Sequence, residues 1–149
     1  MDVRTTTQRR WFASHVTTLL ATMMDEAPAA DSDGDFPVRG ETSQAWLRLQ
    51  TTDPWGVHVF AYATRDLPER AAVLREINDS NMTTIGTTVS LSVQGLLVVD
   101  CFLFADAVTE ETLTAVLGRV LELADTLGPV LTALHGGSTY LTATATSAA

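Results

Sequence analysis

Apolar and polar residues alternate most clearly in the middle of the chain. From Ile85 to Val93 apolar side chains alternate with glycine, serine and threonine, which is typical of a strand with one buried face. Gln94-Gly95 follows and predicts a two-residue turn. In the return segment, Leu96 to Phe104, both the odd-numbered and the even-numbered residues are mostly apolar. It therefore predicts a strand that must be covered on both faces.

A regular helical pattern comes directly after this hairpin. Thr109 is a candidate N-cap, and Glu110-Glu111 suits the positive end of a helix dipole. Apolar residues then recur at three- and four-residue steps as far as Leu127, which predicts an amphipathic helix packed on the hairpin. Gly128-Pro129 predicts a break or kink, and Gly136-Gly137 predicts the end of a short helical continuation.

The first half of the chain predicts two more helices and three short strands. Thr6 to Glu26 has its apolar residues on one helical side, and Asp66 with Glu69 forms a candidate capping box for another helix. The segment from Ala27 to Asp35 predicts a loop, because it holds a proline, a glycine and three aspartates. The predicted strands are Phe36 to Gly40, Ala45 to Gln50 and Val57 to Ala63.

These elements predict one α+β domain. Their order is α-β-β-β-α-β-β-α, and because hairpins dominate, we expect a mainly antiparallel sheet of about five strands with three helices packed on it. The domain is expected to span residues 1–137. Residues 138–149 are rich in threonine and alanine without a clear period, and predict a frayed tail.

Composition narrows the classes of partner. The chain has 149 residues with 18 acidic and 9 basic side chains, a formal charge of −9 that disfavours nucleic acid and anionic membranes. No apolar run reaches the roughly 20 residues of a membrane span. One cysteine excludes an internal disulfide and suits a reducing compartment, so we expect a cytoplasmic protein. Arg9-Arg10 loosely resembles an export signal, but the polar residues that follow favour the cytoplasm.

Residues that could carry chemistry do not form a recognisable constellation. His15, His58 and His135 lie on separate predicted elements, and no HxH, HxxxH or CxxC spacing occurs. With a two-residue turn, Asp100 would face Val89 among valines and leucines. It would then be either a functional carboxylate or, as the favoured alternative, a structural one at the margin of the sheet. We therefore predict no metal, no cofactor and no enzyme activity.

Apolar faces of the predicted sheet are the remaining candidates for function. One alternative is that the second helix covers these faces. The other is that they form a groove for a peptide or a surface for self-association. The candidate peptide-binding residues lie on the outward side of the neighbouring strands and on the second face of the hairpin: Trp46, Phe60, Tyr62, Leu97, Val99 and Leu103.

Several features resemble the YbjN-like proteins, a group that shares its fold with the class I type III secretion chaperones. They are the helix end Ile77-Asn78-Asp79-Ser80-Asn81, the strand from Thr84, the turn at Gly95 and the acidic helix start Val108-Thr109-Glu110-Glu111. The resemblance implies an α-β-β-β-α-β-β-α domain, often dimeric, that binds extended polypeptide without catalysing a reaction.

The resulting hypothesis is a chaperone-like homodimer that holds an apolar segment of a partner polypeptide. The alternative is a regulatory or small-ligand-binding domain of a bacterial signalling system, with a pocket between the first helix and the sheet. A third hypothesis, an enzyme centred on Asp100 and His58, is disfavoured because no further catalytic group is evident.

Overall fold

The computed structural model describes residues 3–25 and 29–142, with side chains described from Thr6 onward. The helices are α1 (Val3–Met24), α2 (Ala71–Thr83) and α3 (Glu110–His135). The strands are β1 (Phe36–Arg39), β2 (Gln44–Gln50), β3 (Gly56–Tyr62), β4 (Thr64–Arg65), β5 (Thr88–Leu91), β6 (Leu97–Phe104) and β7 (Ser138–Thr139). This order confirms the predicted α+β fold and adds the short strands β4 and β7.

Five strands form one antiparallel sheet in the order β1-β2-β3-β6-β5. Alternate residues of each strand point to one side, where Leu47, Val59 and Val99 are fully buried. They share a single core with buried residues of the helices, such as Phe12 in α1 and Leu117 in α3. The helices therefore cover one face of the sheet. None of the helices in the described ranges, 3–25 and 29–142, covers the other face.

The hairpin between β5 and β6 has a three-residue loop, so the predicted two-residue turn is wrong. The amide of Gly95 donates to the carbonyl of Ser92 at 3.1 Å, and Gly95 has a φ of +74°, as in a type I turn that ends in a left-handed residue. The extra residue shifts the register by one position. Val89 therefore pairs with Val99, and Asp100 lies opposite Thr88 instead of Val89.

Helix α2 begins at Ala71, later than the predicted capping box at Asp66 and Glu69. The residue before it, Arg70, makes no side-chain cap hydrogen bond. The preceding segment is held elsewhere, because Asp66 has a φ of +54° and the amide of Leu67 donates to the carbonyl of Gly95 at 3.1 Å. Because Asp66 and Leu67 are held against the hairpin loop, the helix begins only at Ala71.

Helix α3 is continuous through Pro129, so of the predicted break or kink the break is wrong. Thr109 caps its first turn through a reciprocal capping box with Thr112. Beyond the proline, Leu131 is buried in the core, which holds the last turns in place. Gly136 ends the helix as predicted, with a φ of +100°.

The described residues after α3 are held by pairing with β4 in a second, two-stranded sheet. Ser138–Thr139 pairs with Thr64–Arg65, and the amide of Tyr140 donates to the carbonyl of Ala63 at 3.0 Å. Residues 138–141, beyond the predicted domain end at residue 137, thus make backbone contacts with the rest of the fold. The rest of the predicted tail, residues 143–149, and residues 26–28 between α1 and the acidic loop lie outside the described residues.

Candidate functional site

The helix-free side of the sheet carries a cluster of four aromatic rings, here called the aromatic face: Trp46, Phe60, Tyr62 and Tyr140. Trp46 stacks on Phe60 with ring centroids 5.6 Å apart and meets the edge of Tyr62 at 4.9 Å. Tyr140 approaches Tyr62 at 5.6 Å. Aromatic pairs at these separations are attractive beyond the area that they bury.

Strand register brings these rings together. Trp46 of β2 lies directly opposite Phe60 of β3, and Tyr62 follows two residues later on the same side. Tyr140 arrives from the far end of the chain, positioned by the pairing of β7 with β4. Sequence reasoning missed Tyr140 because it placed this residue in a frayed tail, where a single tyrosine among threonines and alanines was the only signal.

Two arginines lie on the rings of the aromatic face. The guanidinium of Arg48 lies 5.0 Å from the centre of Phe60, and that of Arg65 lies 3.9 Å from the centre of Tyr140. Arg48 also donates two hydrogen bonds to the buried carboxylate of Asp35, at 2.6 and 2.9 Å. The hydrogen bond to Asp35 raises the pKa of Arg48, although desolvation opposes it. These contacts fix the orientation of Phe60 and Tyr140.

His58 and Asp100 form a pair beside the aromatic face, with Nε2 and Oδ2 2.8 Å apart. Both side chains are partly exposed, and His58 also contacts the ring of Phe60 at 5.1 Å. The sequence had named these two residues only as the centre of the disfavoured enzyme hypothesis, and the register predicted for the hairpin turned Asp100 to the other side of the sheet. Cys101, next in the chain, faces the core, and burial raises the pKa of its thiol.

An acidic loop borders the aromatic face near β1. Asp31 and Asp33 line a cavity of about 140 Å³ together with Asp35, Arg48 and the rings of the aromatic face other than Tyr140. Oxygens of the three carboxylates lie within 4.8 Å of one another. Asp31 Oδ1 accepts the amides of Asp33 and Asp35, both at 2.9 Å. The protein's own donors therefore organise this loop.

The six predicted binding residues do not form one surface. Trp46, Phe60 and Tyr62 lie on the aromatic face. Leu97 and Val99 are fully buried in the helix-covered core, and Leu103 packs against that core. This corrects the predicted grouping, because α3 covers the apolar side of the hairpin on which those three residues lie. Of the six residues, Trp46, Phe60 and Tyr62 remain together on one uncovered face.

A groove of about 360 Å³ lies on the helix side of the molecule, where α1 meets the end of the sheet. Trp11, Phe12 and Trp55 supply its apolar walls, and Gln8, Ala105 and Asp106 complete it. Trp11 is two-thirds exposed at 66% and stacks on His15 at 5.1 Å. This is the place expected for the pocket of the small-ligand alternative.

Comparison with known proteins gives a match over most of the chain. Residues 10–143 match the sequence model of a family described as "TY-Chap1: T3SS (YopN, CesT) and YbjN peptide-binding chaperone 1". No curated protein sequence matches the chain. No helix within the described residues is long and apolar enough to cross a membrane.

Solved structures show the same fold. The structure titled "Crystal Structure of the ExsC-ExsE Complex" matches with a TM-score of 0.64 at 18% identity, covering 88% of this chain and 97% of that one. The Yersinia pestis type III secretion chaperone SycH, in complex with a stable fragment of YscM2, matches with a TM-score of 0.58 at 17% identity. That alignment covers 74% of this chain and 98% of SycH.

Proposed function

The chain belongs to the TY-Chap1 family of peptide-binding chaperones, and on that basis we propose that its aromatic face holds an apolar segment of a partner polypeptide. Peptide binding is a non-catalytic activity, in agreement with the prediction that the chain is not an enzyme. The observation that carries the choice of surface is the cluster of rings on the side of the sheet that the described helices leave uncovered.

The chemistry of the aromatic face fits an extended, apolar guest. Tryptophan and tyrosine supply large contact areas at small cost in side-chain entropy, and they are frequent at the centres of binding interfaces. The rings are already held by one another and by Arg48 and Arg65, so little ordering is needed when a guest binds. Phe60 is only 6% exposed, so a guest would cover mainly the half-buried rings of Trp46, Tyr62 and Tyr140.

The two similar solved structures support this proposal. One is a complex of ExsC with ExsE, and the other is a complex of SycH with a stable fragment of YscM2. In each case a protein with this fold is bound to another protein. The partner of the present chain is proposed to be a polypeptide segment in the same sense, and not a nucleic acid or a membrane.

The test is binding of a peptide selected from a displayed library of short random sequences. We expect Trp46→Ala and Tyr62→Ala each to weaken binding of the selected peptide by about tenfold or more, the loss typical of a hot-spot residue. The matched control is Trp11→Ala, an exposed tryptophan on the helix side of the molecule. Equal affinity of Trp46→Ala and the wild type would remove the aromatic face from consideration.

We also propose that two copies associate and that the protein works in the cytoplasm. Exposed apolar residues on the helix side support self-association, among them Leu74 and Met82 on α2 and Leu134 on α3. The single half-buried cysteine fits a reducing compartment. Light scattering coupled to size-exclusion chromatography tests the dimer, and a strictly monomeric mass at all concentrations would refute it.

The groove between Trp11 and Trp55 supports a second candidate function, the binding of a small apolar ligand. A thermal-shift screen of metabolites tests it, because a ligand that prefers the folded state raises the melting temperature. The small-ligand function predicts a shift that Trp11→Ala abolishes and Trp46→Ala leaves intact. The absence of any shift, together with peptide binding, would favour the chaperone function alone.

A further inference from the structure

Strand β5 is an edge strand that carries neither a charged residue nor a proline. Within the described part of the chain it pairs only with β6. The sequence from Ser80 to Val99 contains no charged residue and no proline. Proteins normally use charge, proline or a covering element to keep an edge from pairing with another chain. The opposite edge, β1, has two of these protections in Pro37 and Arg39.

One side chain occupies the free side of β5. The carboxamide of Asn81, in the last turns of α2, donates from Nδ2 to the carbonyl of Val89 at 2.9 Å. Its Oδ1 accepts the amide of Val89 at 2.8 Å. A residue on a neighbouring antiparallel strand would make the same two bonds with Val89. Asn81 thus takes the position of a strand residue at the middle of the edge.

We propose that Asn81 closes the β5 edge against pairing with the same strand of a second copy of this chain. Two uncharged copies of Thr88–Leu91 would meet antiparallel without charge repulsion. Such pairing would also cover Ile85 and Val93, which flank the strand and are 90% and 97% exposed. A second β5 is therefore the strand that would pair with this edge in the absence of Asn81.

The packing of α2 holds Asn81 in place. Val73 and Ile77 are buried in the core, so the helix is docked beside the edge and its last turns reach β5. Asn78, one turn before Asn81, is exposed, and its amide contacts the sulfur of Met82 at 3.6 Å. Of the two asparagines in this segment, only Asn81 is therefore hydrogen-bonded to β5. The inference does not depend on where a guest binds.

The test compares Asn81→Ala with the matched variant Asn78→Ala by sedimentation velocity over a range of protein concentrations. We expect Asn81→Ala to form larger species than the wild type as concentration rises, because it exposes the amide and carbonyl of Val89. Asn78→Ala should sediment like the wild type. If Asn81→Ala also matches the wild type at every concentration, the edge does not need this residue and the proposal is overturned.

A second substitution identifies the surface that associates. Ser90 is exposed at the centre of β5, and a lysine there places like charges against each other in a paired edge. Adding Ser90→Lys to Asn81→Ala is expected to restore the sedimentation of the wild type. Association that persists in the double variant would show that another surface is responsible, which contradicts the proposal.

Hydrogen exchange of the wild type provides a test that needs no variant. If Asn81 holds the edge, the amide of Val89 should exchange more slowly than that of Gly86 in the preceding loop by about tenfold, the effect of one retained hydrogen bond. Equal exchange at the two positions would mean that the bond between Asn81 and Val89 is mostly open. That result would overturn the proposal even if Asn81→Ala failed to fold.

Discussion

The carboxylate of Asp125 lies 2.7 Å from the hydroxyl of Ser43, which joins the middle of α3 to the turn between β1 and β2. The same carboxylate accepts the amides of Glu41, Thr42 and Ser43 at 3.1, 3.0 and 3.0 Å. One helical side chain thus satisfies a whole turn, which fixes β1 and β2 relative to the helix layer. Trp46, on β2, follows this turn closely, so the position of the aromatic face depends on it.

Replacing Asp125 by asparagine should destabilise the protein by about 1–3 kcal/mol. The side-chain amide has only one acceptor oxygen, and its NH2 group would face the backbone N–H groups that Asp125 now accepts. Urea denaturation measures the loss. Glu122→Gln, an exposed change one turn earlier on α3, is the control and should remain close to the wild type. An unchanged midpoint for Asp125→Asn would contradict the anchoring role.

The contribution of Asp125 should depend on pH. Burial alone would raise the pKa of Asp125, but the hydrogen bonds from Thr42, Ser43 and Glu41 lower it below its ordinary value. A carboxyl whose pKa is lower in the folded chain stabilises fully above the pKa of the unfolded chain, about 4. That contribution disappears as the pH falls through the folded value. The stability difference between wild type and Asp125→Asn should therefore shrink in acid, and a difference that is independent of pH would argue against this linkage.

Gly128→Ala should be destabilising, whereas Gly118→Ala on the same helix should be stabilising. A Cβ at Gly128 would lie 2.7 Å from the carbonyl oxygen of Ala63, and a Cβ at Gly118 would meet nothing within 4 Å. We expect a loss of about 1–3 kcal/mol for the first change through overpacking, and a gain of about 0.8–1 kcal/mol for the second through helix propensity. Thermal or urea denaturation measures both. Equal effects would mean that α3 does not approach Ala63 so closely.

Replacing Arg48 by alanine should cost more stability than replacing both Arg48 and Asp35 by uncharged residues. Asp35 is only 4% exposed, so the single change leaves a buried carboxylate without its guanidinium. Leaving a buried charged group unpaired costs about 1–3 kcal/mol or more. A cycle of Arg48→Ala, Asp35→Asn and the double variant, measured by denaturation, gives the coupling. Strict additivity would show that the pair is not coupled.

Ending the chain after Gly137 should destabilise it by at least about 2 kcal/mol. The truncation removes β7 and Tyr140, and with them several hydrogen bonds and two ring contacts worth about 0.5–1.5 kcal/mol each. A chain that ends after Thr142 keeps all of these contacts and is the matched control. If both truncated chains unfold at the same denaturant concentration, the pairing of this segment with β4 contributes nothing.

Most of the element order could be predicted because the signals are local. The period of Ile85 to Val93, the cap at Thr109 and the apolar stripe of α3 each depend on neighbouring residues only. The errors came from distant contacts that override local preference. Leu67 docks on the hairpin loop and delays α2, and packing of Leu131 carries α3 through Pro129.

The proposed binding surface was only half predictable for a related reason. Trp46, Phe60 and Tyr62 alternate along two strands, and that alternation is visible in the sequence. Whether Leu97 and Val99 face a guest or the core depends on which side the helices cover, and sequence alternation assigns residues to a face without saying what covers it. A one-residue error in loop length then reversed the face assigned to Asp100.

By itself the sequence determined the type and order of the main helices and strands, the acidic charge and the likeness to a family of binding proteins, because periodicity and composition are properties of the chain alone. Only the tertiary structure decided the hairpin register, the single helix-covered face, the arrival of Tyr140 at the aromatic face and the closing of β5 by Asn81. Each of these depends on groups far apart in sequence. Their meeting is set by packing and hydrogen-bond geometry, which no local pattern encodes.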